Sequence, residues 1–217
     1  SILVGDYLLS RCFEMMVEDG NLEILKLLSS TSAEISQGEV LQLQHKSEID
    51  ILEETYLKII SAKTASLFAA ATKVGPILAN KENKIKEALE FYGKNVGLTF
   101  QIADDTLDYN SDLKILGKKI GNDFYEGKIT LPIILLYQKS NSNEKKELKE
   151  LFLKQDRSEN EFKKVLSLIK KYNIISDCYE KAKYFINLAS NSLSIFEESK
   201  EKNIFQNLTS FSLKRNY

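Results

Sequence analysis

The chain has 217 residues, of which 43% are hydrophobic and 28% charged, with a net charge of −1. That balance is rich enough for a substantial core and too charged for a membrane protein or a disordered one. It supplies no global field for nucleic acid, so any anion site must be built locally from placed lysines. With only 9 Gly and 2 Pro, the chain favours long helices over many short strands and turns.

In chain order, Ile2, Leu3, Tyr7, Leu8, Phe13 and Met16 give a helical apolar stripe that Asp19-Gly20-Asn21 breaks. A second helix is predicted from Leu22 to about Leu43. Ser47 or Asp50 is expected to cap a third, carrying Leu52, Tyr56, Ile59 and Ile60, which continues or kinks into Lys63 to Leu78. Ala65, Ala69 and Ala71 there are small, which suits close helix packing or a widened apolar tunnel. Gly75-Pro76 marks a kink or a break. A long helix is predicted from Ile85 to Tyr109. A Gly-punctuated loop with one short turn follows to Thr130, and Pro132 fits the first turn of a new helix. Three or four amphipathic helices follow from Glu144 to Leu213, with Asn141 to Asn143 and Tyr172 to Asn173 as connectors. The expectation is an all-α fold in one domain spanning residues 1–217.

No stretch reaches the roughly 20 apolar residues of a membrane span. The first ten residues hold Asp6 and no basic segment of a signal peptide. Cys12 and Cys178 are expected to be reduced thiols of a cytoplasmic protein. One histidine, His45, is too few for a His-based metal site or a conventional triad, and we assign it to a helix surface or helix end.

The strongest local chemistry is Gln101-Ile-Ala-Asp104-Asp105-Thr-Leu-Asp108. Asp104 and Asp108 share a helix face, with Asp105 beside them. Crowded carboxylates repel one another, and a hard cation such as Mg²⁺ takes oxygen ligands of this kind. Taken alone, the cluster reads better as the solvated acidic turn of a surface helix, because acidic runs are common. The next segment changes that balance. Gly117-Lys118-Lys119-Ile-Gly121-Asn-Asp123, continuing through Glu126-Gly127-Lys128 to Pro132, sets lysines on a loop leaving the acidic helix. Carboxylates, cation, phosphates and lysines then form alternating layers of charge, with the lysines as point charges.

Four blocks in order resemble the trans-prenyltransferases, specifically the polyprenyl (octaprenyl-type) diphosphate synthases. They are Val4-Gly5-Asp6-Tyr7-Leu8-Leu9-Ser10-Arg11, Gly38-Glu39-Val40-Leu41-Gln42-Leu43, Tyr56 through Lys63-Thr64-Ala65-Ser66-Leu67-Phe68, and Tyr92-Gly93 through Asp108-Tyr109 with the loop to Pro132. The resemblance implies an isoprenoid-synthase-type antiparallel helical bundle. It implies Mg²⁺ on Asp104, Asp105 and Asp108, with Asp123 supporting a metal through water. Lys63, Lys118 and Lys128 would hold an allylic diphosphate. Thr64 and Gln101 would set their oxygens toward the developing allylic cation, with Lys63 counted beside them as catalytic. The implied reaction condenses isopentenyl diphosphate with farnesyl or a similar allylic diphosphate, in a homodimer, with peripheral membrane contact for product release.

The family's first Asp-rich motif lies upstream of the Gly-Asp-Tyr-Leu-Leu block, which here begins at Val4. We therefore expect an N-terminally truncated bundle, the C-terminal two-thirds of the fold, with weak or no catalysis by these residues alone. It is either a fragment of an ordinary synthase or a natural short homologue. The alternative function is a non-catalytic or accessory subunit that binds diphosphate or pairs with a catalytic chain. The interface of a homodimer is expected on the apolar stripes between Ile2 and Leu43.

Overall fold

The computed structural model describes residues 2–110 and 120–213. Every element among them is helical, as the shortage of breakers dictates. α1 (Ile2–Asp19) ends at Gly20, which takes a left-handed φ of 72° and turns the chain. α2 (Leu22–Gln44) begins where the Asn21 side chain accepts the amides of Glu23 and Ile24, a conventional N-cap. α3 (Glu53–Ile60) runs through a π turn (Ser61–Ala65) into α4 (Ser66–Leu78). Neither predicted cap is used: Leu52 occupies the N-cap position of α3, and Ser47 adopts φ 67° in the turn before it. Pro76 lies inside α4, three residues from its end, so Gly75-Pro76 marks the approach of a terminus.

α5 (Asn83–Leu107) is the spine, packed between α4 and α10 (Ile174–Ser192). Its approach to the π turn requires Gly97: a Cβ there would lie 2.6 Å from Ala65 Cα. Ala65 and Ala69 are buried at this seam, whereas Ala71 is exposed, so only the first two serve tight packing. Of the loop to Thr130, the described part contains α6 (Asn122–Glu126). α7 (Leu131–Lys139) starts with Pro132 in its first turn and buries Leu131 through Leu136 almost continuously. Such all-round burial matches the unbroken apolar run from Leu131 to Leu136.

The C-terminal region forms α8 (Ser142–Phe152), α9 (Glu159–Lys171), α10 and α11 (Lys200–Leu213). Asn141 with Glu144, and Ser158 with Glu161, close reciprocal capping boxes at the starts of α8 and α9. Tyr56, Tyr109, Phe124, Phe152, Ile102 and Ile134 sit in one apolar cluster that joins α3, α5, α6, α7, α8 and α9. α1 stands apart from it. None of its residues is buried, and Ile2 and Leu3 are 80% and 83% exposed. Among the described residues no helix is long and apolar enough to cross a membrane. Both cysteines are free thiols, Cys12 exposed and Cys178 buried, where burial pushes the thiol up to about 12.

Candidate active site

Lys63 and Thr64 lie in the π turn, the one place where the α3–α4 rod departs from α-helical register. A π turn inserts one residue and re-aims the side chains around it, and such turns recur at functional sites. α2 backs this turn at Gly38, where a Cβ would lie 2.6 Å from the Lys63 amide nitrogen. The closeness lets Glu39 and Gln42 reach the lysine. Lys63 Nζ sits 2.6 Å from Glu39 Oε2 and donates to Gln42 Oε1 at 2.7 Å. These two α2 residues were matched to the family by sequence, but their contact with Lys63 needs the fold to be seen.

Lys63 shares a cavity of about 370 Å³ with Lys46, His45, Glu126 and Lys128. Lys128 Nζ lies 2.6 Å from Glu126 Oε2 and 3.5 Å from Asp123 Oδ1. Partial burial alone would lower the Lys128 pKa; the hydrogen bond to Glu126 and the charge of Asp123 outweigh it and raise the pKa. Both lysines thus line one space, each held by a carboxylate. His45 ends α2, as expected, and contacts Glu48 through Nδ1 at 2.6 Å. Its place in the cavity wall beside Lys46 was not legible in sequence. Lys118 lies outside the described residues.

The acidic residues do not act as a set of equals. Asp105 is only 4% exposed, and both its oxygens are taken: Tyr56 Oη donates at 2.6 Å and Gln101 Nε2 at 2.8 Å. Burial, reinforced by the charge of Asp123, pushes its pKa up to about 7 against the pull of those two hydrogen bonds. Asp108 turns to the backbone. Its carboxylate accepts the amides of Gly121, Asn122 and Asp123 at 3.1, 3.2 and 2.9 Å, fastening the start of α6 to the end of α5. Asp123 is also raised, by desolvation first and by Asp108 second. Asp104 is half-buried at the last turn of α5. Among the described residues no three His, Cys, Asp or Glu side chains form a ready-made metal cage.

Asp105 engages Tyr56 and Gln101, and Asp108 engages the amides at the start of α6. A group of carboxylates such as these fits Mg²⁺, which commonly takes one or two carboxylates and completes its shell with water and phosphate oxygens. Crowding favours the fit, since neighbouring carboxylates raise the pKa of Asp105 and Asp123 and a cation relieves the repulsion. Gln101 and Thr64 meet, with Thr64 Oγ1 donating to Gln101 Oε1 at 2.8 Å. Tyr56 and Arg157 were missed. Arg157 pins the α6 segment from behind, donating to the carbonyls of Phe152 at 2.6 Å and Tyr125 at 3.3 Å and stacking over Phe152 and Phe124. No short motif announces it.

An acid-bearing helix end opposed to a lysine-lined cavity, on a bundle of antiparallel helices, defines the isoprenoid-synthase class. The fold matches that of a polyprenyl synthase from Caulobacter crescentus complexed with calcium and isoprenyl diphosphate, with a TM-score of 0.94 at 36% identity, covering 100% of this chain and 66% of that one. Residues 1–169 match the model of the polyprenyl synthetase family, and the chain belongs to that family. Among curated relatives it is similar to an all-trans-nonaprenyl-diphosphate synthase (geranyl-diphosphate specific) of Rhodobacter capsulatus, 37% identical over 215 residues, which are 99% of this chain and 65% of that protein. It is also similar to the octaprenyl diphosphate synthase of Escherichia coli, 45% identical over 134 residues, which are 62% of this chain and 42% of that protein. The chain thus spans less than two thirds of the length of these relatives.

Proposed function

We propose that this chain serves a Mg²⁺-dependent prenyltransferase that joins isopentenyl diphosphate to an allylic diphosphate, farnesyl or similar, giving a medium or long polyprenyl diphosphate. The observation that carries this is that Lys63 and Lys128 line one cavity, with Asp123 Oδ1 3.5 Å from Lys128 Nζ. The match to a structure holding a divalent cation and an isoprenyl diphosphate supports it. Lys63 and Lys128, with Lys118, bind the allylic diphosphate. Asp104 and Asp123 hold Mg²⁺, which when bound neutralises the diphosphate oxygens and stabilises the leaving anion. As the allylic C–O bond breaks, its electron pair leaves with the diphosphate. The alkene of isopentenyl diphosphate attacks the cation, and a proton is lost to the departed diphosphate. Thr64 and Gln101 place oxygens where the positive charge develops, an electrostatic contribution built in before the reaction. Neither Lys63 nor Lys128 is idle without substrate, so the incoming diphosphate exchanges Glu39 and Glu126 for phosphate oxygens.

We read residues 1–217 as one helical domain. The uncovered apolar stripe of α1 suits the face of a homodimer. The two free thiols suit a reducing compartment such as the cytoplasm. The test is prenyl transfer by the purified chain with labelled isopentenyl diphosphate, farnesyl diphosphate and Mg²⁺, read beside direct Mg²⁺-dependent binding of farnesyl diphosphate. Turnover that Asp104→Ala abolishes, or binding without turnover that Asp104→Ala weakens, supports the assignment. The second outcome directs the search for the remaining catalytic groups to a longer chain or a partner. Binding indifferent to both Mg²⁺ and Asp104→Ala would overturn it.

A further inference from the structure

The hydrogen-bond chain through Thr64, Gln101, Asp105 and Tyr56 has a direction, and Gln101 sets it. A carboxamide has donors at one end and an acceptor at the other. Gln101 Nε2 lies 2.8 Å from Asp105 Oδ1, so the nitrogen faces the carboxylate. Turning the amide over would oppose its oxygen to the carboxylate oxygen. With the nitrogen so placed, Gln101 Oε1 faces Thr64 Oγ1 at 2.8 Å, and the threonine hydroxyl must supply the proton. On the far side Tyr56 Oη donates to Asp105 Oδ2 at 2.6 Å. Tyr56 is 2% exposed, and a phenol keeps its proton at neutral pH, so it stays a donor. With Asp105 ionised, every proton in the chain runs inward, toward its carboxylate. The Thr64 oxygen has spent its one proton and keeps only lone pairs for anything outside the chain.

We infer that Tyr56 and Asp105 are positioning residues that make Thr64 an obligate acceptor toward the cationic part of an allylic substrate. The inference rests on the prenyl-transfer reading and extends it to residues that reach no substrate themselves. An unrestrained threonine hydroxyl rotates freely, and beside a departing diphosphate it would offer its proton to the anion. Committed to Gln101, it cannot. Successive hydrogen bonds ending on a carboxylate also polarise one another, which makes the terminal oxygen a better acceptor for positive charge. The α5 residues Gln101 and Asp105 are one helical turn apart, and Tyr56 reaches them from α3 across 49 residues of sequence. The π turn places Thr64 on the same line.

The experiment is calorimetric titration of the full chain in Mg²⁺ with two probes. One is an allylic diphosphate analogue carrying a protonated tertiary ammonium where the cation forms; the other is the uncharged thiolodiphosphate of the same length. Tyr56→Phe removes only the phenolic donor. It should weaken the ammonium probe about tenfold, as expected when a hydrogen bond serving a charged group is lost, and leave the thiolodiphosphate within about twofold. Asp105→Asn should act in the same sense, because its amide end breaks the inward run of protons. Thr64→Val should lose the same discrimination and Thr64→Ser should keep it, which tests the relay even if the Tyr56 variant folds poorly. Equal losses for both probes, or none for either, in Tyr56→Phe and Thr64→Val would refute the relay while leaving diphosphate binding intact. Failure of the unaltered chain to bind either probe in Mg²⁺ would remove the prenyl-transfer reading and the relay with it.

Discussion

α1 and α5 are both amphipathic helices of this chain, and they have opposite fates. α5 buries Tyr92, Val96, Leu98, Ile102 and Ala103, and its buried polar side chains Asn95, Thr99, Asp105 and Thr106 all find hydrogen-bond partners. α1 buries nothing: Leu3, Tyr7, Leu8, Leu9, Phe13 and Val17 are all exposed. The two sequences carry comparable apolar patterns, so periodicity specifies a helix and a face but not whether this chain itself supplies the covering surface. Where a spine helix must also bear charge, each buried polar group costs desolvation and needs a partner. That requirement is what ties α5 to the chemistry.

The comparison breaks most visibly at Ile102, fully buried at the centre of α5. Ile102→Asp places a charge without a partner in the core and should cost about 3–5 kcal/mol, read as a collapse of the denaturant midpoint. An equally drastic change on α1 should behave differently, as described below. A smaller effect is expected at the end of α5. Asp108→Ala removes the acceptor of three α6 amides and should cost about 1–2 kcal/mol, the range of a lost helix cap. Limited proteolysis should then cut within residues 120–130 before the rest of the chain.

On α1, Leu8→Ser combined with Phe13→Ser should leave unfolding within about 0.5 kcal/mol of the unaltered chain. The same variant should reduce the mass seen by light scattering if α1 is the homodimer face. An unchanged mass would assign the stripe to something other than a second copy. The smallest effect belongs to neither helix. Glu144 is partly buried, and its partnership with Lys171, Tyr172 and the Asn141 amide lowers its pKa from 4.5 to about 2. A depressed carboxylate contributes stability that is present above its unfolded value and is lost as pH falls from about 4.5 toward 2. Glu144→Gln should therefore flatten the acid limb of the stability profile over that window and change little at pH 7.

Much of the fold was legible in the sequence for physical reasons. The left-handed turn at Gly20, the N-terminal Pro of α7 and the continuous 3.6-residue stripe of α5 are local signals, and the structure matches them closely. The missed start of α3 shows the limit. Ser47 and Asp50 are good capping residues, but the chain spends them in a turn whose Ser47 amide binds Gly127 O at 3.2 Å, a contact 80 residues away in sequence. The connector of residues 153–158 was also hidden, since Leu153 continues the apolar pattern past the end of α8 while being 68% exposed. The acidic motif named the right neighbourhood without dividing its labour. Asp104, Asp105 and Asp108 look alike in a line of letters. Only the arrival of Tyr56 and of the α6 amides shows Asp105 as an internal anchor and Asp108 as a loop fastener. Lys63 and Thr64 were found by resemblance, but the π turn that aims them leaves no mark on hydrophobic spacing.

That π turn makes the α3–α4 rod one residue longer than a regular helix would need. Removing a single residue between Ser61 and Ala65 would let the rod close into an unbroken α-helix, locally the easier conformation. The wider turn already absorbs that extra residue, so the deletion would leave the flanking turns of α3 and α4 in their present register. The change would fall on the side chains inside the turn: Lys63 and Thr64 would be re-aimed, away from Glu39, Gln42 and Gln101. The rod would gain regularity and the site would lose its aim, so a single codon here separates the best helix from the working one.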